Sequence, residues 1–112
     1  MTSEEYIANV ERVIAQCEDV YFTGCFSESF IKNDLESRRT LDMIRRNSGR
    51  GSDEESMKKR FYLEDFDNRE EFLDDFLRQM QVADFNPNHP WVMKFERIKN
   101  QIVRLRDIVR NF

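Results

Sequence analysis

The sequence predicts an all-α protein, a four-helix up-down bundle forming one domain over residues 1–112. Three observations carry that prediction. First, Trp91, Phe95, Ile98, Ile102, Leu105, Val109 and Phe112 follow one another at alternating steps of four and three, which places all seven on one stripe of a helix. Second, the composition joins 36% charged residues and ten Phe to only three Gly and two Pro, as clean amphipathic helices require. Third, turn-like breaks divide the chain into four stretches, predicting helices over about 3–22, 27–46, 53–81 and 90–112.

The first helix opens on Thr2 with Glu5 three residues on, the pattern of a capping box. Tyr6, Val10, Val13, Cys17 and Val20 make its main stripe, widened by Ile7, Ile14 and Tyr21. Gly24 ends it, where glycine takes a left-handed conformation cheaply. The second helix carries Phe30, Ile31, Leu35, Leu41, Met43 and Ile44 on a broad stripe interrupted by Asp34, Ser37 and Arg38, so part of it should lie at the surface.

Residues 47–52 hold two of the three glycines and read as a mobile linker. Ser52 with Glu55 repeats the capping-box pattern, and Glu54 and Glu55 stand four residues before Lys58 and Lys59. The third helix keeps Tyr62, Phe66, Leu73, Phe76, Leu77 and Met80 in phase, which favours one continuous helix despite Asp67-Asn68. Asn86-Pro87-Asn88 is turn chemistry, and Pro90 suits the first helical turn of the last helix. Short loops predict alternating directions, which would set the first and last helices antiparallel. The heptad-like stripes run for only about three heptads, at the lower limit for a coiled coil.

Charge is unevenly placed. Residues 90–112 hold six bases and two acids, hence +4, so residues 1–89 carry −8 of the total −4. The bases of the last helix are expected to complement the acidic first helix rather than nucleic acid, because no aromatic lies among the exposed ones for stacking. No stretch approaches the ~18 apolar residues that span a membrane, and Glu4 and Glu5 near the start do not suit a secretory signal. Cys17 and Cys25 read as free thiols of a reducing compartment, cytoplasm or nucleus.

Catalytic, metal and cofactor sites are not expected. His89 is the one histidine, and its place before Pro90 suits a helix cap better than a nucleophile's base. Zinc needs about four N or S ligands, a di-iron bundle needs paired Glu-x-x-His motifs, and Gly49-Arg50-Gly51 lacks the rest of a phosphate loop. The acids Glu64, Asp65, Asp67, Glu70, Glu71, Asp74 and Asp75 read as a solvated flank.

Two functional readings follow. One is a non-catalytic protein–protein interaction module, a subunit or adaptor that binds a protein partner or a second copy through helical apolar faces. Its candidate contacts lie on the last helix, where Met93, Val103 and Ile108 fall off the stripe beside Arg104. The other is a small acidic inhibitor of the immunity type that blocks a basic site on a target. Ser48, after Arg45-Arg46, and Ser52, before Asp53-Glu54-Glu55, resemble kinase substrates in or beside the linker.

Overall fold

A computed structural model describes residues 2–112. It is all-helical: α1 spans Ser3–Glu18 and runs on through one π-helical turn, Asp19–Thr23; α2 spans Glu28–Asn47, α3 Glu54–Val82 and α4 Pro90–Arg110. No strand occurs among the described residues. Four helices packed on one another form the expected all-α bundle, but not in the expected up-down order, and α3 is continuous through Asp67-Asn68.

The central pair is α3 and α4. Asp74 meets Lys99, Asp67 meets Arg106 and Lys59 meets Phe112, so the residue numbers run oppositely and the two helices are antiparallel. The predicted stripe of α4 faces inward: Phe95, Ile98, Ile102, Leu105 and Val109 are buried, with Val92 added. Phe76 stacks on Phe95 at 5.1 Å. From α3 come Tyr62, Phe66, Leu73 and Met80.

The expected antiparallel arrangement of the first and last helices is not found. Tyr6 meets Trp91, Glu18 meets Arg97, Glu28 meets Arg104 and Arg39 meets Phe112. Residue numbers rise together, so α1 and then α2 run in the same direction as α4. The two short helices lie end to end. With the π turn they hold about 41 residues, and at ~1.5 Å each that is close to the 60 Å long axis of the molecule, whose other extents are 22 and 21 Å. The chain therefore bends at the α1–α2 junction without turning back.

That junction explains the direction. Gly24 is extended, φ −96°, not left-handed as expected at a helix end. Its glycine requirement is spatial, since a Cβ there would lie 2.8 Å from the Asp19 carbonyl oxygen. Phe26 N–H donates to the Val20 carbonyl and Ser27 N–H to that of Gly24. The Gln101 side chain on α4 donates to the Tyr21 carbonyl at 3.1 Å, satisfying an acceptor at the break. The Phe26 ring plugs the gap against Tyr21, Phe61, Tyr62 and Phe66, with centroids 5.6–6.3 Å apart.

The helix caps divide into local and tertiary ones. Thr2 and Glu5 form the predicted capping box of α1. His89 caps α4, its Nδ1 accepting the Trp91 N–H at 3.1 Å, and Pro90 follows at the first helical position. At α3 the predicted Ser52–Glu55 box is absent. Asp53 stands at the N-cap without a side-chain bond, and Asp42 of α2 caps the helix from outside.

Candidate protein-interaction face

The α2–α3 hairpin has α4 on one side only. Glu28 and Arg39 of α2 and Lys59 of α3 reach α4 or Phe112 beyond it. Two residues along a helix is about 200° round it. Phe30, Leu41, Met57 and Phe61 each stand two residues from one of those, so they lie on the opposite side, facing solvent. Phe30 is 48% exposed, Met57 53% and Phe61 52%, with Leu41 and Ile44 exposed beside them. A second helical stripe on α2 is thus uncovered, apolar at Phe30, Leu41 and Ile44 with Asn33 and Ser37 between them, while Ile31 and Leu35 fill the inward one.

A charged seam joins the helices across this face. Arg38 donates to Asp34 at 3.0 Å and to Glu54 at 2.9 Å, and Arg45 reaches Glu54 at 3.3 Å. Tyr62 O–H donates to Asp34 at 2.6 Å. Burial first, and then the Asp34 carboxylate, push the Tyr62 phenol above its ordinary range, so it remains a donor. Glu55 pairs with Lys59 as expected, whereas Lys58 lies over the rings of Phe61 and Tyr62 at 4.4 and 5.2 Å. Stacking of Phe26 on Phe61 at 6.2 Å holds the Phe61 ring against the hairpin.

The residues singled out on the last helix do not form one surface. Met93 and Val103 are exposed, but ten residues separate them, about 15 Å along the axis and 80° around it. Ile108 is half-buried and packs against the core. Arg104 is exposed and holds Glu28 through both carboxylate oxygens, at 3.1 and 2.9 Å. Its neighbours do similar work: Arg97 meets Glu18 and covers the Phe22 ring, Lys99 meets Asp74, and Arg106 bridges Asp67 and Glu70. The basic helix is therefore complemented by acids on all three other helices, not by α1 alone.

Of the two serines, Ser48 is the C-cap of α2, its hydroxyl donating to the Ile44 carbonyl, and Ser52 donates its hydroxyl to the Asp42 carboxylate. Cys17 is buried and Cys25 exposed, both free. Burial pushes the Cys17 thiol up. Tyr21 O–H donates to Asp65 at 2.9 Å, and burial raises that phenol as well. Among the described residues no three His, Cys, Asp or Glu side chains converge as a metal site would need, and no helix is long and apolar enough to cross a membrane.

In sequence the hairpin face is hidden because Phe30, Leu41 and Ile44 fall in one broad stripe with Ile31 and Leu35. Their spacing of 11 and 3 is a helical repeat of its own, offset from Ile31 and Leu35, and that offset was the available signal. Comparison with protein-family models, with curated proteins and with solved structures finds no match to this chain.

Proposed function

We propose that this chain is a non-catalytic protein–protein interaction module, a subunit or adaptor that docks through the outer face of the α2–α3 hairpin. The observation that supports it most is the uncovered row of Phe30, Leu41, Met57 and Phe61 opposite α4. Aromatic and methionine side chains are the types enriched at docking surfaces. Several acids of residues 1–89 are held by bases of α4, which leaves less free negative charge for an acidic inhibitor. The same pairs engage Arg97, Lys99, Arg104 and Arg106, four of the six bases of α4 that nucleic acid could use. Two free cysteines accord with a reducing location, cytoplasm or nucleus.

The test is affinity capture from the source cells with Phe61→Glu, Met57→Glu and Met93→Glu variants beside the unchanged protein. Loss of the captured protein from the two hairpin variants, with retention by Met93→Glu, is the expected result. Retention by both hairpin variants and loss from Met93→Glu would move the docking surface to α4.

A further inference from the structure

We propose that the occupant of the hairpin face is a second copy of this chain, docked about a two-fold axis to form an antiparallel pair of hairpins. The inference rests on the reading of that face as the docking surface. Three features point to a like copy.

The first is size. The face is about 30 Å long, from the 20 residues of α2, and two helices wide, about 20 Å, or about 600 Å² per copy. Two copies would bury about 1,200 Å², the lower end of the range of stable specific interfaces.

The second is charge. The face carries Asp34 and Glu54 against Arg38, Arg45 and Lys58, and its acids are already paired within the chain. A strongly acidic or basic partner would gain little there. A second copy brings one surplus base, Lys58, whose ammonium already lies over the Phe61 and Tyr62 rings, and the other charges are covered as salt bridges already formed.

The third is self-complementarity. Asp34 lies beside Tyr62 and Arg45 beside Glu54, so α2 and α3 run antiparallel. Phe30 and Phe61 then lie on one side of the level of Ser37, and Leu41, Ile44 and Met57 on the other, with Phe61 and Met57 one turn apart astride it. A two-fold axis near the exposed Ser37 sets the aromatic end of each copy on the aliphatic end of its mate. That arrangement completes the hairpin on its open side, as α4 does on the other.

The experiment is sedimentation equilibrium on the full chain from about 1 to 500 µM, the range over which a modest dimer dissociates. Phe61→Glu, Leu41→Glu and the control Met93→Glu are run beside the unchanged protein, each checked for unchanged helicity. The expected result is a dimer that the two hairpin variants weaken by at least about tenfold and the control does not. With Cys25→Ser, Ser37→Cys should form a disulfide with its own copy on mild oxidation. An unchanged protein that stays monomeric throughout overturns the second copy but leaves the docking face to the capture experiment. A dimer that the hairpin variants do not weaken overturns the second copy at this face. Loss of capture without any dimer would mean that a different protein covers the face.

Discussion

The Asp42 carboxylate of α2 accepts the backbone N–H of Glu54 at 2.9 Å, capping a helix that begins twelve residues later. The same carboxylate takes the Glu55 N–H at 3.0 Å and the Ser52 hydroxyl, and Asp42 is only 3% exposed. One side chain thus both starts α3 and fixes its angle to α2.

Asp42→Ala should lower the melting temperature by several degrees, and Asp42→Asn by less, since an amide oxygen can still cap. The effect should depend on pH. The Ser52 hydroxyl, aided by the Glu55 and Glu54 amides, holds the Asp42 carboxyl below the usual carboxylate range. A depressed folded value means stability fully present above the unfolded pKa of ~3.9 and lost as pH falls through the folded value. Thermal melts from pH 7 down to about 2 should show the gap between Asp42→Ala and the unchanged protein closing only at the acid end.

Ile102→Ala should destabilise by about 2–5 kcal/mol, because Ile102 is fully buried between α4 and its neighbours. Val103→Ala, one residue on and partly exposed, should change stability by less than about 1 kcal/mol. Urea denaturation of the two variants checks both. Equal losses would mean that α4 is rotated from the face described.

Gly24→Ala should destabilise by about 1–3 kcal/mol, since its Cβ would press on the Asp19 carbonyl and the Val20 backbone, neither of which can swing aside. Gly51→Ala meets nothing within 4 Å and should be neutral or slightly stabilising. A neutral Gly24→Ala in the same denaturation series would show that the α1–α2 junction relaxes freely.

A thiol reagent should label Cys25 at once and Cys17 only as the fold opens. Cys25 is exposed, whereas Cys17 is buried and its thiol raised by that burial, so it offers little thiolate. Two equally fast thiols would place the α1 stripe outside the core.

The features legible in sequence are those decided within one helical turn or along one stripe. The Thr2–Glu5 box, the His89 cap before Pro90 and the stripe from Phe95 to Val109 all depend on neighbours within four residues of one another. Asp42 lies twelve residues from the amide it caps, so its role could not be read locally, and Ser52–Glu55 offered a plausible local substitute that the fold does not use. The direction of α2 was hidden for a related reason. A break at Gly24 is compatible with reversal or with continuation, and the choice is made by Phe26 among four aromatic rings and by Gln101 from α4. The candidate face was obscured because α2 carries two apolar stripes, and only the fold shows which one α3 and α4 cover.

The parallel course of α1 and α4 also bears on synthesis. The bond from Gln101 to Tyr21 spans 80 residues, so α1 leaves the ribosome long before the helix it rests on. At ~5–20 residues per second the interval is roughly 4–16 s. Throughout it, Val10, Ile14 and Cys17 have no α4 to cover them. The apolar stripe of α1 thus stays uncovered by α4 on the nascent chain for that interval, and the α2–α3 hairpin, whose contacts are closer in sequence, is the first tertiary unit able to close.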